Sequence, residues 1–189
     1  AYIITIGYAD ITISVAPIGY SGEYDGSAHK AIANKAVADT VDEVAPVWEY
    51  SLDNQEFTTT MPEFTNIGQT RVYYRVSAAN HNTVTGSFTV TITEATISNV
   101  NVQGYVGIEN GEDHEAVVST TATSSVPGTV ITWLYSTTGG ENTYSEEVPT
   151  FRTAGRYTVW YMVTAENHKT VTGRFYVTIS DKPTIDVDY

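Results

Sequence analysis

Residues 70–78 read TRVYYRVSA, and an apolar or aromatic side chain occupies every second position of this stretch. Val72, Tyr74 and Val76 therefore share one face of the chain, whereas Arg71 and Arg75 share the other. Side chains alternate with a period of two in a β-strand, and one apolar face is typical of an antiparallel sheet with a single buried side. The stretch predicts such a strand, and no segment of the chain predicts a helix of note.

A second strand follows after a short predicted hairpin loop. Phe88, Val90 and Ile92 alternate with threonines, so this segment also presents one apolar face. The loop between the two strands contains Asn80-His81-Asn82, and asparagine is suited to the positive φ of a tight turn. We therefore expect an antiparallel hairpin with His81 at its tip.

The same pattern recurs later in the chain. Residues 62–92 match residues 149–179 without a gap, at an offset of 87, and 17 of the 31 positions are identical. Upstream the offset is 85, and the two extra residues fall between Ser136 and Pro149, where Gly139-Gly140 predicts a slightly longer hairpin loop. The sequence predicts these segments: 1–7, the end of a preceding repeat or a linker strand; 8–93, repeat one; 94–181, repeat two; and 182–189, a linker or the start of a next repeat.

Composition excludes several classes of function. The chain has 189 residues, no Cys, 9 basic and 22 acidic side chains, and a formal net charge of −13. Without Cys it has no disulfide framework, no thiolate nucleophile and no Cys-ligated metal. A strongly acidic chain is a poor match for nucleic acid or an anionic membrane, and no apolar run approaches the roughly 18 residues of a membrane span. We expect neither nucleic-acid binding nor membrane insertion.

The repeat length and the strand pattern together predict the fold class. Each unit of about 86 residues holds about seven short strands, separated by turn signals, with one Trp in a central strand (Trp48 and Trp133). A core Trp at that place is typical of immunoglobulin-like sandwiches, and Tyr157 fits the tyrosine that opens a late strand of that fold, although Thr70 replaces it in repeat one. We predict an all-β protein of two tandem immunoglobulin-like antiparallel β-sandwich domains.

A family resemblance rests on one run of residues and its followers. The run is Gly19-Tyr20-Ser-Gly22-Glu-Tyr24-Asp25-Gly26-Ser-Ala-His29, followed by Trp48-x-Tyr50-Ser51, Pro62, Gly68 and Asn80-His81. It resembles the bacterial Ig-like tandem repeats called YDG or MBG domains, found in very large bacterial cell-surface proteins. The resemblance implies an extracellular location on the cell wall and a non-catalytic structural or adhesin stalk that contacts neighbouring repeats of the same chain. Repeat two has Glu109-Asn110-Gly111 in place of the Tyr-Asp-Gly turn.

Residues that could carry chemistry favour structural roles. All four His occupy equivalent positions, as the pairs His29/His114 and His81/His168, and no third ligand follows at a metal-site spacing. The acidic run at residues 109–113 lacks the spacing of a calcium loop, so we expect no cofactor, with Ca²⁺ as the alternative. No nucleophile motif is present, so we expect no enzyme activity, no catalytic residue and no metal-binding residue.

One difference between the repeats suggests a binding site. The alternation that points Val159 and Val163 inward points four residues of repeat two outward: Leu134, Trp160, Met162 and Tyr176. Repeat one has Glu49, Tyr73, Arg75 and Thr89 at those positions, a far more polar set. The aromatic patch could bind a host glycan or an extracellular-matrix protein, or pack against a neighbouring module, unless the strand has the opposite phase.

Overall fold

A computed structural model describes residues 2–3 and 6–183. It divides the chain into two units between Glu94 and Ala95. The predicted segments 1–7 and 182–189 lie partly outside the described residues. All regular secondary structure of the described part is β-strand.

Repeat one contains nine strands arranged in a four-stranded sheet, a three-stranded sheet and one short strand pair. The strands are β1 Ala9–Val15, β2 Ser21–Glu23, β3 His29–Lys30, β4 Val37–Thr40, β5 Val47–Ser51, β6 Glu63–Phe64, β7 Gly68–Ser77, β8 His81–Asn82 and β9 Val84–Thr93. The sheet orders are β2-β9-β7-β5, β4-β1-β8 and β3-β6. Val72, Phe88 and Val90 of the larger sheet pack with Ala31 and Tyr50 in the core, so the predicted inward faces are confirmed.

Repeat two contains the same arrangement. Its strands are β10 Ala95–Gly104, β11 Val106–Ile108, β12 His114–Glu115, β13 Val117–Ser124, β14 Thr132–Ser136, β15 Thr150–Phe151, β16 Gly155–Thr164, β17 His168–Lys169 and β18 Val171–Ser180. The sheet orders are β11-β18-β16-β14, β13-β10-β17 and β12-β15. Its core contains Tyr135, Val159, Phe175 and Val177. Each repeat is thus an all-β immunoglobulin-like sandwich, as the sequence predicts.

Each repeat also contains parallel strand pairs that the sequence pattern does not reveal. β2 adds to β9 in parallel, with Ser21 opposite Thr91, and β11 adds to β18 in the same way. Gly19 makes this approach possible, because a β-carbon at that position would overlap the backbone carbonyl oxygen of Thr89. Gly104 has the same relation to the carbonyl oxygen of Tyr176.

The predicted antiparallel hairpin of β7 and β9 is confirmed, but the structure does not place His81 at its tip. His81 is buried at 7% exposure and begins β8, which pairs in parallel with Ala9 and Asp10 of β1. The turn is made one residue earlier by Asn80, whose φ of 61° lies in the left-handed region that asparagine tolerates. A loop that turns before His81 leaves the imidazole directed into the unit.

The tyrosine predicted to open a late strand in repeat two makes the contact expected of it. The hydroxyl of Tyr157 donates a hydrogen bond to the backbone carbonyl of Thr153 at 2.9 Å. The ring also stacks on Phe151, with 4.2 Å between centroids. Repeat one has Thr70 at this position and still folds into the same sandwich, so the contact supplements the fold and does not define it.

Candidate functional site

The four residues of the predicted aromatic patch share the outer face of the four-stranded sheet in repeat two. Trp160 and Met162 alternate along β16 with the fully buried Val159 and Val163. Leu134 lies directly opposite Met162. Tyr176, opposite Thr158 on β18, is 41% exposed, and the other three side chains are half-buried. The structure therefore brings together the residues that the alternation placed on one face.

Two neighbouring features cover part of the aromatic rings. The guanidinium of Arg156 lies over the Tyr176 ring, 3.8 Å from its centroid. The longer hairpin loop lies against Trp160, because a β-carbon at Gly139 would come within 3.0 Å of three indole atoms. Gly139 has a φ of 74°, so it satisfies both the turn and the close approach. The indole of Trp160 therefore helps to anchor this loop.

Arginine residues flank the patch on the same face. Arg174 lies opposite Trp160 on β18, and Arg156 lies opposite Thr178. Sequence alternation could have placed both arginines on the outer face, since each is an even number of residues from Trp160 or Tyr176 along its strand. The stacking of Arg156 on Tyr176 depends on the inter-strand register, which the sequence does not state.

Val106 and Ile108 of β11 extend the patch, although the strand pattern of the sequence does not reveal them. They are 75% and 51% exposed and lie opposite Thr178 and Ser180 of β18. A three-residue strand carries too little alternation to be recognised, and its parallel pairing depends on contacts far along the chain. Aligning the two repeats matches these residues with Ser21 and Glu23 of repeat one. This replacement of polar by apolar residues is the sequence signal that could have identified them.

Repeat one presents a polar version of the same face. Glu49 accepts a hydrogen bond from Nε of Arg75 at 2.9 Å, and the Arg75 guanidinium lies over the Phe57 ring at 4.6 Å. This hydrogen bond lowers the pKa of the Glu49 carboxyl group and raises the pKa of Arg75. Leu134 and Met162 replace this ion pair in repeat two, so two half-buried apolar side chains stand where repeat one has two paired charges.

The first pair of equivalent histidines stacks on tyrosine. The His29 ring lies 4.1 Å from the Tyr20 ring, and the His114 ring lies 4.3 Å from the Tyr105 ring. Nε2 of His29 is 2.9 Å from a carboxylate oxygen of Asp25. Nε2 of His114 is likewise 2.9 Å from the amide oxygen of Asn110. Both histidines therefore brace the turn that precedes them.

The second pair of equivalent histidines fixes the loop that precedes its own strand: His81 before β8 and His168 before β17. Nδ1 of His81 donates to the carbonyl of Ala79 at 2.7 Å, and Nδ1 of His168 donates to the carbonyl of Glu166 at 2.7 Å. Nε2 of His81 lies 3.3 Å from the Asp42 carboxylate without hydrogen-bond alignment, whereas Nε2 of His168 lies 2.6 Å from the Ser124 hydroxyl. The equivalent residues thus perform the same structural task in both repeats.

The acidic run at residues 109–113 has its own internal contacts. The Asn110 side-chain oxygen accepts a hydrogen bond from the backbone N–H of Glu112 at 2.9 Å, and Asp113 lies 3.8 Å from Arg152. Within residues 2–3 and 6–183, His, Asp and Glu side chains form no group of three or more that could hold a metal ion. The described part of the chain also contains no helix long and apolar enough to span a membrane.

Comparison with known proteins gives similarities to solved structures. No protein-family model matches the chain, and no curated protein sequence matches it. The chain is similar to a fragment of the titin I-band, with 8% identity and a TM-score of 0.40 over 90% of this chain and 66% of that one. It is also similar to fibronectin(III)-like modules of CbhA from Clostridium thermocellum, with 12% identity and a TM-score of 0.33 over 94% and 100% of the two chains. For immunoglobulin domains 1–4 of Sidekick-1 the identity is 12% and the TM-score 0.43, over 93% of this chain and 50% of that one.

Proposed function

We propose that the chain is a non-catalytic stalk segment, formed by two tandem Ig-like repeats of the YDG/MBG type, in an adhesin on the bacterial cell surface. Its partners are then the neighbouring repeats of the same extracellular protein, and it needs no cofactor. The observation that carries this proposal is the parallel clamp, the pairing of β2 with β9 that recurs in repeat two as the pairing of β11 with β18. A stalk must resist tension between its ends, and the clamp joins the second strand of each unit to its last strand.

The geometry of the clamp supports a load-bearing role. Thr91 donates its backbone N–H to the carbonyl of Tyr20 at 2.8 Å, and Tyr24 donates to the carbonyl of Thr93 at 2.8 Å. In repeat two, Thr178 donates to Tyr105 at 2.9 Å and Glu109 donates to Ser180 at 2.8 Å. Because the paired strands are parallel, pulling the ends of a unit drags them in opposite directions along their length. All hydrogen bonds of the clamp are then loaded together.

A second parallel pair in each unit involves its first strand. Ala9 donates to the carbonyl of Asn80 at 3.0 Å, and Ala95 donates to the carbonyl of Asn167 at 3.0 Å. This pairing brings β1 against β8 and β10 against β17, where His81 and His168 are buried. His81 and His168 make the same contacts in both copies, which favours a structural role over a catalytic one.

Single-molecule force spectroscopy tests the stalk proposal. The chain contains no Cys, so engineered cysteines give unique attachment points. We expect terminal pulling to give two unfolding events, each releasing roughly 300 Å of extended chain for a unit of about 85 residues. Attachment through Val47→Cys and Ser77→Cys pulls an antiparallel pair apart at one end and breaks its bonds singly. Terminal pulling should need several-fold higher force, and equal forces in the two directions would overturn the proposal.

The second candidate function is binding of a host glycan or an extracellular-matrix protein through the aromatic patch of repeat two. The specific observation in its favour is that Leu134, Trp160, Met162 and Tyr176 share one outer face where repeat one has an ion pair. A binding panel of glycans and matrix proteins, run beside Trp160→Ala and a melting control, tests it. Binding that is lost in the folded variant supports this function. If the parent chain binds nothing in the panel, only the stalk proposal remains.

A further inference from the structure

The outer face of the second repeat is formed by β11, β18, β16 and β14, and at six positions it is more apolar than its counterpart in repeat one. Six positions that carry polar or aromatic-hydroxyl side chains in repeat one carry apolar or more strongly apolar ones in repeat two. The replacements are Ser21 by Val106, Glu23 by Ile108, Glu49 by Leu134, Tyr73 by Trp160, Arg75 by Met162 and Thr89 by Tyr176. The cores of the two repeats keep their residue types, so the change is confined to the surface.

The charge of this face is opposite to that of the chain. The four strands of the sheet contain no Asp or Glu, although the chain carries a net charge of −13. Two arginines, Arg156 and Arg174, lie on the face, and within the described part of the chain neither forms an ion pair. The guanidinium of Arg156 already lies over the Tyr176 ring, and this contact restricts the side chain before a partner binds. An anionic partner fits this arrangement.

The apolar members favour a protein over a sugar. Sugar rings stack on free aromatic faces, but Arg156 covers one face of Tyr176 and the Gly139 loop lies against Trp160. The remaining members are aliphatic or thioether side chains, of which Val106 and Ile108 are 75% and 51% exposed. A mixture of Trp, Tyr, Met and Arg without Lys, Asp or Glu is the composition of the centre of a protein–protein interface.

We infer that the outer face of the second repeat docks an acidic segment of another protein, whose carboxylates pair with Arg156 and Arg174 and whose apolar side chains cover Val106, Met162 and Leu134. This inference rests on the second candidate function and names its ligand class.

The dimensions of the face set the strength of the interaction. Four strands about 4.8 Å apart span roughly 14 Å, and five or six residues along a strand span about 17–20 Å, although β11 has only three residues. The product is at most about 280 Å², well below the roughly 800 Å² per partner of a standard stable interface. A single repeat therefore binds weakly, with affinity gained when several such faces are presented together.

Nuclear magnetic resonance titration of the full 189-residue chain tests the inference at this strength. The probe is a short synthetic peptide in which Glu alternates with Leu and Tyr. We expect saturable shifts confined to β11, β14, β16 and β18, and a Kd about tenfold or more higher in the double variant Arg156→Glu and Arg174→Glu. The variant Val106→Ser, Ile108→Glu and Tyr176→Thr should also lose binding. It restores residues with which repeat one already folds.

A charge reversal outside the site separates the site from the net charge of the chain. Arg71→Glu reverses the charge of one exposed arginine on the corresponding face of repeat one. It should leave the titration unchanged. Equal loss of binding in Arg71→Glu overturns the inference, as does an unperturbed spectrum or equal binding of a peptide with Lys in place of Glu. Binding of oligogalacturonate without binding of the Glu peptide also overturns it and assigns the face to acidic sugars. None of these outcomes affects the force measurement, so the stalk proposal is tested independently of the docking face.

Discussion

The ring of Tyr74 lies across Gly86, the residue directly opposite it on β9, so closely that a β-carbon at Gly86 would overlap the phenolic oxygen and Cζ. Tyr161 has the same relation to Gly173 in repeat two. The aromatic ring fills the space that a missing side chain leaves on the sheet and shields the glycine backbone.

Gly86→Ala should therefore destabilise repeat one. The added methyl group forces the Tyr74 ring out of its position between Trp48 and Phe88, and overpacking of this kind costs about 1–3 kcal/mol. Hydrogen–deuterium exchange resolved by repeat measures the loss, which should be confined to the first unit. Gly7→Ala is the matched control, because a β-carbon at Gly7 meets nothing within 4 Å. Equal stability of Gly86→Ala and the parent would contradict the packing argument.

Gly104→Ala should be the more damaging change in repeat two. The added β-carbon would overlap the backbone carbonyl oxygen of Tyr176, so a strand and not a side chain must move. We expect a loss of about 3 kcal/mol or more in the free energy of unfolding of this unit, against a smaller loss for Gly173→Ala. Urea denaturation of both variants gives the comparison. The reverse order would show that β11 shifts away from β18 at little cost.

The stability of repeat one should depend on the ionisation of Asp25. A hydrogen bond from the backbone N–H of Ser27 and a second from His29 hold the pKa of this carboxyl group below its ordinary value of 3.8. Because the folded pKa is the lower one, the contribution is fully present above the unfolded value and is lost as the pH falls through the folded value. Asp25→Asn should lower the melting temperature of repeat one slightly at neutral pH, and the difference from the parent should disappear in acid.

Repeat two supplies the reciprocal control for this pH effect. Asn110 occupies the position of Asp25 and contacts His114 in the same way. Asn110→Asp should therefore raise the melting temperature of repeat two at neutral pH and have no effect in acid. A deficit of Asp25→Asn that persists unchanged in acid would assign its effect to the turn and not to the charge.

Glu109→Pro should weaken the clamp of repeat two without touching that of repeat one. Proline has no N–H, so the hydrogen bond from Glu109 to the carbonyl of Ser180 is lost, while the preceding Ile108 already has the extended backbone that proline requires. In force spectroscopy one of the two unfolding events should move to lower force. Glu109→Ala keeps the N–H and should leave both events in place. Two unchanged events in the proline variant would remove the clamp as the source of resistance.

Calcium should leave the melting temperature of both repeats unchanged. The Asn110 side-chain oxygen already accepts from Glu112, and Asp113 faces Arg152, so the run at residues 109–113 does not present its oxygens to one point. Melting curves recorded with Ca²⁺ and with a chelator provide the comparison. A rise of several degrees with Ca²⁺ would contradict this expectation and would indicate a stiffened array.

The sandwich could be predicted from sequence because its long strands carry their own signal. β7 and β9 are each ten residues long, and alternation over that length fixes which side chains face the core. The recurrence at an offset of 87 then predicts the second unit from the first. The outer face followed from the same alternation, which placed Trp160 and Met162 opposite to Val159 and Val163.

The features that escaped prediction depend on contacts between distant short segments. β8 contains only His81 and Asn82, and its pairing with β1 joins residues about 70 positions apart. No local pattern reports such a contact, which is why His81 was assigned to a hairpin tip. The Gly139 loop against Trp160 is another such case, because loop geometry decides it and not strand periodicity.

The parallel pairing of β2 with β9 also has a consequence for how the protein folds. Each unit is completed only when its early and late segments meet across about 70 residues, and the ends of β9 and β18, Thr91-Ile92-Thr93 and Thr178-Ile179-Ser180, are nearly identical. During folding, β2 can therefore pair with β18, or β11 with β9, and such an exchanged pairing traps the chain in a misfolded species. Refolding of the tandem chain should be slower and less complete than that of either unit made separately.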